Sequence, residues 1–273
     1  MSDNSTFIKK YRPYRLTDFY TNDIFKQAIN TLISVDDINI LFIGNSNSGK
    51  TSLLNTLIRE YYDLTPDDSL PENNILFVNN LKEQGIQYFR NDMKTFCQSM
   101  SSIYGKKKLV LIDDIDTINE QSQQVFRNYI DKYRNNIQFI CVCNNVQKVV
   151  ESIQSRLHII QIPSPNNLQI KLLMNKIITN ENIIIDEETK DYILTISNMS
   201  IRRMISILEK LYIYNKPITK DLCIKISSII SFTKFENYIS MLQNDDLHGA
   251  IRLMYNIYDY GYSVIDIYDY LFS

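Results

Sequence analysis

Apolar residues run along the first part of the chain in five short blocks. We predict a strand in each block, at residues 38–43, 75–79, 109–113, 138–144 and 158–162. Both faces of these blocks are apolar, and helical patterns separate most of them, which is typical of a parallel sheet covered by helices. The pattern therefore predicts an α/β fold with a five-stranded parallel sheet.

After Pro163-Ser164-Pro165 the strand pattern stops, and apolar positions recur at helical spacing. We predict helices near residues 166–180, 187–197, 200–214, 219–231, 235–242, 247–258 and 264–272. Breaks are expected at Lys216-Pro217 and at the turn near Ser231-Phe232-Thr233. The chain is therefore expected to divide into domains at residues 1–165, 166–231 and 232–273.

Composition narrows the class of protein. The 273 residues are 44% hydrophobic and 22% charged, as in ordinary globular proteins. No apolar run reaches the roughly 18 residues that span a bilayer, and the polar start lacks the apolar core of a signal peptide, so we expect an intracellular protein without a membrane partner.

The four cysteines form no C-x-x-C pair, and we expect them reduced in the core. A net charge of −2 means that any DNA contact must be local.

The segment Gly44-Asn45-Ser46-Asn47-Ser48-Gly49-Lys50-Thr51 fits the pattern G-x-x-x-x-G-K-[ST]. It lies between a predicted strand and an amphipathic helix that continues from Ser52, the context that a phosphate-binding loop requires. Loop N–H groups and the positive end of the helix bind phosphates there. We expect Lys50 to reach the terminal phosphates and Thr51 to hold Mg²⁺. The motif predicts a nucleotide-binding protein.

Two predicted strands end in polar residues that suit phosphate chemistry. Residues 109–113 lead into Asp113-Asp114-Ile115-Asp116, and residues 138–144 end at Asn144-Asn145. Asp113 would hold the Mg²⁺ shell, and Asp114 would polarise the attacking water as a general base. The amides suit placement of water near the γ-phosphate, although in isolation a polar strand end that caps the following helix would be the better interpretation of this pair.

Arginines complete this set, because guanidinium groups stabilise the charge that develops on a transferred phosphoryl group. The connection after Arg156 is too short to turn back easily on its own nucleotide, so we expect it to serve a neighbouring site. Arg202 and Arg203 lie on a predicted helix, and closure of that second domain would bring one of them to the γ-phosphate. Without the other motifs, an exposed helical arginine pair fits plain surface solvation.

Together, these motifs resemble those of replication factor C small subunits, the AAA+ sliding-clamp loaders of DNA replication. Lys10-Tyr11-Arg12-Pro13 is similar to the family's adenine-side segment, and Ser122–Arg127 with Asp131-Lys132-Tyr133 is similar to the helix after the acidic strand. The resemblance implies ATP and Mg²⁺ as cofactors, the sheet order 5-1-4-3-2, a helical lid and a helical collar. It also implies site roles: Asn144 is sensor 1, Arg202 is sensor 2, and Arg156 is an arginine finger acting in trans.

The resemblance further implies partners: other loader subunits in a hetero-pentamer, a sliding clamp and primer–template DNA, in the nucleus or cytoplasm where replication occurs. Helix N-termini inside the family's spiral contact DNA phosphates. The matching positions here are Ile86, Arg90 and Lys94 on one predicted helix, and Lys148 after the sensor-1 strand. Arg90 and Lys94 share a helical face, which a solvated surface explains equally well.

Several positions depart from the family pattern. Asp114 replaces a glutamate that is one methylene longer, and because misplacement by about 1 Å can cost roughly 100-fold in rate, we expect slow hydrolysis. Met199-Ser200-Ile201 replaces Gly-Asp-Met before the sensor-2 arginine, and Leu157 replaces a cysteine. The chain reaches Ser273 after only part of the expected collar helices, so we expect a reduced collar or one that partners complete.

Other functions remain open beside the clamp-loader subunit. One is a structural loader subunit that binds ATP, hydrolyses it poorly and donates Arg156 to its neighbour. Another is a different AAA+ DNA motor, such as a helicase or helicase loader. A GTPase is disfavoured because Asn144-Asn145-Val146-Gln147-Lys148 lacks the guanine-reading N-K-x-D pattern. A nucleotide kinase is disfavoured because nothing in the sequence indicates a second nucleotide pocket.

Overall fold

The computed structural model describes residues 5–45, 47–66, 68–78, 91, 93–214, 218–226, 232–259, 261, 263–265 and 267–268. They form two compact units. The first lies within Met1–Leu173 and takes in Met199–Arg202, and the second lies within Met174–Asn198 and Arg203–Ser273. The first unit contains the sheet. The described residues of the second are mainly helical, with one isolated parallel bridge between Ile185 and Ile218.

Five strands form one parallel sheet. They are β1 (Ile40–Ile43), β2 (Ile75–Val78), β3 (Lys108–Ile112), β4 (Ile137–Cys143) and β5 (His158–Gln161). The strand order is β2-β3-β4-β1-β5, and every pairing is parallel. The predicted α/β fold and sheet order 5-1-4-3-2 are confirmed. In this order the carboxyl ends of β3, β4 and β1 lie side by side, and the residues that follow these strands meet at one edge.

Among the described residues, six α-helices precede Pro163: α1 (Phe7–Lys10), α2 (Asp23–Ser34), α3 (Lys50–Tyr61), α4 (93–98), α5 (Glu120–Tyr133) and α6 (Glu151–Gln154). Asparagine side chains begin two of them. Asn22 Oδ1 accepts from the Phe25 N–H at the start of α2, and Asn119 Oδ1 accepts from the Ser122 N–H at the start of α5. Each cap satisfies a backbone donor that the helix leaves unpaired.

The helices described after Pro163 include α7 (Asn167–Asn180), α8 (Glu187–Ser197), α9 (Ile201–Tyr214), α10 (Lys220–Ile226), α11 (Phe232–Gln243) and α12 (Leu247–Asp259). All of the helices predicted from residue 166 to residue 258 have a counterpart here. Part of the predicted helix 219–231, and most of the predicted helix 264–272, lie outside the described residues. Across the described ranges, no helix is long and apolar enough to cross a bilayer.

Two apolar clusters cover the opposite faces of the sheet. Ile40 and Phe42 of β1 pack with residues of α2 and α3, whereas Leu41 packs with residues of α5 on the other face. Such alternation follows from the two-residue period of a strand. All four cysteines are buried and free of disulfides, and Cys141 and Cys143 share the α5 face. With both faces covered by apolar clusters, the carboxyl edge of the sheet is a place where polar groups can meet a ligand.

Candidate nucleotide-binding site

The glycine-bounded loop runs from the carboxyl end of β1 into the first turn of α3. A Cβ atom on Gly44 would lie 2.6 Å from Ser48 Oγ and 3.3 Å from Ile162 Cβ. Gly49 precedes α3 with a φ of +86°, a left-handed conformation that costs glycine little. Asn47 also has a positive φ, of 68°, which asparagine tolerates better than most residues. These residues let the loop turn tightly onto the helix N-terminus, where unpaired N–H groups favour an anion.

Two polar groups of the loop fit a phosphate ligand. Ser48 Oγ is buried and has no hydrogen-bond partner within the described part of the chain. Lys50 Nζ donates to the carbonyl oxygens of Gly44 and Asn45, both at 2.9 Å, and to Asn144 Oδ1 at 2.7 Å. The lysine charge therefore lies over the loop, at the edge where β1 and β4 end. Ser46 lies outside the described residues.

Thr51 and Asp113 fit a magnesium site. The Thr51 side chain lies close to the half-buried carboxylate of Asp113, which follows β3. Burial raises the pKa of Asp113, and the charge of Asp114 raises it further, against the opposing effects of Lys50 and Thr51. Carboxylate and hydroxyl oxygens are ligands that Mg²⁺ prefers. A divalent cation would also offset the repulsion between the two aspartates.

Asn144 joins Lys50 to Asp114. Its Oδ1 accepts from Lys50 Nζ, and its Nδ2 donates to Asp114 Oδ1 at 3.1 Å. Asp114 has a φ of 50° and precedes a short 3₁₀ helix, Ile115–Thr117. This backbone turn places its carboxylate beside the end of β4. The predicted loop lysine, acidic residue and amide therefore come together in one chain of hydrogen bonds.

Asp116, for which the sequence predicted no role of its own, fixes the end of β4. Its Oδ2 accepts from the backbone N–H groups of Asn144 at 3.1 Å and Asn145 at 3.0 Å. Asn145 Oδ1 in turn accepts from the Gln147 N–H at 2.9 Å, at the start of the 3₁₀ helix Val146–Lys148. The signal for Asp116 is its position after β3, since β3 and β4 are adjacent in the predicted strand order.

The segment before the short 3₁₀ helix Leu16–Asp18 lies against α3. Arg12 Nη2 donates to the Thr51 carbonyl oxygen at 3.2 Å, and the Pro13 carbonyl oxygen accepts from the Thr56 hydroxyl at 3.1 Å. The ring of Tyr11 packs edge-on against Phe7. Burial lowers the pKa of Arg12, and so do the charges of two further arginines, Arg59 and Arg202. Positive charge near the start of α3 favours an anionic ligand there.

Arg156 makes its hydrogen bonds elsewhere in the first unit. Its Nε donates to Asp131 Oδ1 at 2.5 Å, and its Nη1 donates to the Ser152 carbonyl oxygen at 2.6 Å. Of the other predicted arginines, Arg202 belongs to the first unit and Arg203 to the second. The structure thus assembles the loop, the acidic residues and Asn144 at one edge, and holds Arg156 through separate contacts.

The predicted DNA-contact residues are only partly described. Lys94 on α4 and Lys148 on the 3₁₀ helix after β4 are both exposed. The Lys148 carbonyl oxygen accepts from Gln123 Nε2 at 2.9 Å, which fixes the backbone beneath an exposed side chain. Ile86 and Arg90 lie outside the described residues.

Comparison with solved structures supports the fold. The RuvB Holliday junction branch migration motor of Thermotoga maritima superposes with a TM-score of 0.61 at 13% identity, covering 86% of this chain and 80% of that one. Domain III of the replication initiation protein DnaA from the same organism gives a TM-score of 0.56 at 15% identity, covering 77% of this chain and 94% of that one. At these identities the likeness concerns the fold alone.

Comparison of sequences is more specific. Residues 40–164 match the model of the ATPase family associated with various cellular activities (AAA). The chain is 28% identical over 268 residues to a putative replication factor C small subunit, R395, of Acanthamoeba polyphaga mimivirus, covering 98% of this chain and 82% of the relative. It is 27% identical over 274 residues to the replication factor C small subunit of Methanocella arvoryzae, covering 100% and 84%. The predicted resemblance is confirmed: residues 40–164 match the AAA family model, and over nearly its whole length this chain is similar to replication factor C small subunits.

Proposed function

We propose that this chain is an ATP-binding small subunit of a sliding-clamp loader. One observation carries the proposal: a single run of hydrogen bonds joins Lys50 of the phosphate loop through Asn144 to Asp114. In a chain related over nearly its whole length to replication factor C small subunits, that arrangement fits ATP bound at the sheet edge. The partners we propose are other loader subunits in a hetero-pentamer, a sliding clamp and primer–template DNA, at the intracellular site of replication.

The loop and its neighbours supply the nucleotide contacts. Backbone N–H groups of Gly44–Ser52 would hold the phosphates, with Lys50 turning from the loop carbonyls to the terminal phosphates. Arg12 and Pro13 contact α3, and together with Tyr11 they would face the adenine. Thr51 and Asp113 would hold Mg²⁺, which when bound supplies positive charge to the phosphate oxygens.

Asp114 and Asn144 are the proposed catalytic pair within one subunit. Asp114 would take a proton from the attacking water as general base. The Asn144 side chain forms hydrogen bonds with both Lys50 and Asp114. When a phosphate draws Lys50 away, the Asn144 carbonyl oxygen becomes available to accept from that water. Asp116 keeps Asn144 in place through the two backbone N–H groups at the end of β4.

Two arginines would complete the reaction site. Arg202, whose charge acts on Arg12, is the proposed sensor 2 residue, and Arg156 is the proposed arginine finger for a neighbouring subunit. We also propose that residues 1–165 form the ATPase domain, residues 166–231 the lid and residues 232–273 a partial collar. ATP binding between subunits would then organise the spiral that opens the clamp, and hydrolysis on DNA would release it closed.

A second candidate is a loader subunit that binds ATP for assembly and hydrolyses it slowly. Asp114 favours this second candidate. Its side chain is one methylene shorter than that of glutamate, and its carboxylate accepts a hydrogen bond from Asn144 Nδ2 at 3.1 Å. Misplacement of a general base by about 1 Å can cost roughly 100-fold in rate. The two candidates share ATP binding and differ in turnover.

ATP turnover separates them. We would measure it for the chain alone and mixed with candidate loader subunits, with and without primed DNA and clamp, beside Asp114→Glu. Asp245→Glu is the matched control, since Asp245 also has a positive φ, of 57°, and lies in the second unit. Turnover that needs the mixture and rises with DNA and clamp supports the working loader. ATP binding with turnover restored only by Asp114→Glu supports the slow subunit, and duplex unwinding by the complex would overturn both in favour of another DNA motor.

A further inference from the structure

The Arg156 guanidinium is anchored along one edge. Nε donates to Asp131 Oδ1 at 2.5 Å, and Nη1 donates to the Ser152 carbonyl oxygen at 2.6 Å, with Ser155 Oγ at 3.4 Å. The structure describes no bond from Nη2, and the Arg156 side chain is 27% exposed. Two fixed contacts therefore hold a long, flexible side chain while part of the guanidinium stays available.

Of the two residues in this ion pair, Asp131 has the more rigidly held backbone. It lies on α5, a helix of fourteen residues, so its backbone is held by a regular hydrogen-bond ladder. Its other carboxylate oxygen, Oδ2, lies 3.4 Å from Arg127 Nε. The hydrogen bond from Arg156 holds the pKa of Asp131 below its usual range, and the charge of Arg127 adds to this effect. Asp131 is thus a charged acceptor at neutral pH.

Stabilisation of the folded state does not explain the ion pair between Arg156 and Asp131. Exposed ion pairs contribute little to the free energy of unfolding, because water and salt screen them and two side chains lose freedom. An arginine that must meet a phosphate across a subunit boundary has a stricter requirement. Its rate effect depends on placement to within about 1 Å, and an unanchored side chain would have to give up its rotamer freedom at the moment of reaction.

We propose that Asp131 is a positioning residue for Arg156, holding the Nε and Nη1 edge so that Nη2 is presented to a neighbouring subunit's ATP. This inference rests on the proposed function, in which Arg156 acts in trans. It assigns Asp131 no contact with nucleotide. Its effect would pass entirely through Arg156, and that dependence is what an experiment can measure.

The test is a double-mutant comparison in the assembled complex with primed DNA, in which the ATP sites that Arg156 does not serve are inactivated by replacing their phosphate-loop lysines, with kcat and KM for ATP measured separately. Arg156→Ala should lower kcat of the remaining site by at least 100-fold, since an arginine finger supplies about 10³ to 10⁵ in kcat. Asp131→Ala should lower kcat by roughly tenfold or more with KM unchanged, and Asp131→Glu should recover part of it. The double variant should be no slower than Arg156→Ala alone. Glu120→Ala, which removes another exposed carboxylate from α5, should leave kcat unchanged.

The outcomes separate the role of Arg156 from that of Asp131. If Arg156→Ala leaves kcat unchanged, the trans role of Arg156 in the proposed function is wrong. If Arg156→Ala is slow and Asp131→Ala is not, only the positioning role of Asp131 fails. A faster Asp131→Ala enzyme, or additive losses in the double variant, would also overturn it. In the isolated chain, the Arg156 Nε–H should exchange with water faster in Asp131→Asn than in the wild type, and equal rates would contradict the contact itself.

Discussion

At the scale of single residues, Asp113 shows a conflict between stability and ligand binding. Burial raises its pKa, and Asp114 raises it further. A raised carboxyl pKa means that the folded state binds the proton more tightly than the unfolded chain does. The resulting stability is therefore fully present below the unfolded pKa and is lost as pH rises through the folded pKa. At neutral pH the charged Asp113 carboxylate destabilises the protein in the absence of a cation.

Replacing Asp113 by Asn should accordingly raise the thermal unfolding midpoint at pH 7 while removing Mg²⁺-dependent ATP binding. The gain in midpoint over the wild type should shrink as pH falls through the carboxyl range, because the wild-type group then becomes neutral too. Thermal scans without metal from pH 3 to pH 7, and ATP titrations with and without Mg²⁺, measure both effects. A lower midpoint for Asp113→Asn at pH 7 would contradict the argument.

Asp186→Asn provides a control of opposite sign. The Asp186 pKa is lowered by the nearby Thr189 side chain and by the Thr189 backbone N–H, which donates to Asp186 Oδ1 at 2.9 Å at the start of α8. Its stabilising effect is therefore present above the unfolded pKa and is lost as pH falls through the folded pKa. Since Asn is also a good N-cap, the substitution removes mainly the charge. Asp186→Asn should lower the midpoint at pH 7, whereas Asp113→Asn raises it.

The residues of the candidate site were predictable to different degrees. Asp114 and Asn144 lie at the carboxyl ends of two strands that the apolar pattern predicts. A parallel sheet brings the carboxyl ends of neighbouring strands together. The strand order places Asp116 near the end of β4, but it does not predict which groups Asp116 or Arg156 binds. Asp116 binds the backbone of Asn144 across 28 residues of chain, and Arg156 binds Asp131 across 25. Both contacts depend on how turns and helix ends are placed in three dimensions, which neither periodicity nor motif spacing specifies.

At the scale of elements, the five strands lie where apolar blocks predict them, and their ends differ for a local reason. The first block was predicted to begin at Ile38, but β1 begins at Ile40. The Ile38 N–H donates to the side chain of Gln138 at 3.1 Å, and the side chain of Asn39 accepts from the Phe139 N–H at 2.9 Å. Side chains thus replace ladder bonds at buried positions. Apolar patterns record burial and do not show which group accepts each N–H.

The loop between β1 and α3 allows a test at this scale with a matched control. Gly49 and Gly105 both have left-handed backbones, with φ values of +86° and +73°, and a Cβ atom would meet no close contact at either. Alanine at each position should cost about 1 kcal/mol of unfolding free energy from backbone strain alone. Only Gly49→Ala should also weaken ATP binding, because Gly49 sets the path of the phosphate loop.

Chemical denaturation and ATP titration of both variants check this expectation. Equal losses of ATP affinity in Gly49→Ala and Gly105→Ala would show a general effect of destabilisation. Unchanged ATP affinity in Gly49→Ala would show that the loop does not hold the phosphates. Similar denaturation midpoints for the two variants are expected in either case, which keeps the comparison independent of folding.

At the scale of the whole molecule, charge is nearly balanced, with 29 lysines and arginines against 31 aspartates and glutamates. DNA binding by such a chain must rely on a few local contacts made within an assembly. Lys148 is the best described of the predicted contacts. It is exposed on a short 3₁₀ helix that Asn145 begins and that Gln123 holds through the Lys148 carbonyl oxygen. A fixed backbone beneath an exposed ammonium group suits contact with a phosphate, which positions DNA without reading its sequence.

Lys148→Ala should therefore weaken binding of primer–template DNA by the assembled, ATP-bound complex about equally for all sequences. Each phosphate contact releases counterions, so the slope of log Kobs against log salt should fall in magnitude by roughly 0.9 for each Lys148 that contacts a duplex phosphate. Lys106→Ala is the control. It removes the same charge from the opposite edge of the sheet, before β3, where Lys106 pairs with Asp63 at 2.9 Å. Fluorescence anisotropy over a salt series measures both slopes. Identical slopes for the two variants would show that Lys148 does not contact DNA, because a loss of overall positive charge affects both equally.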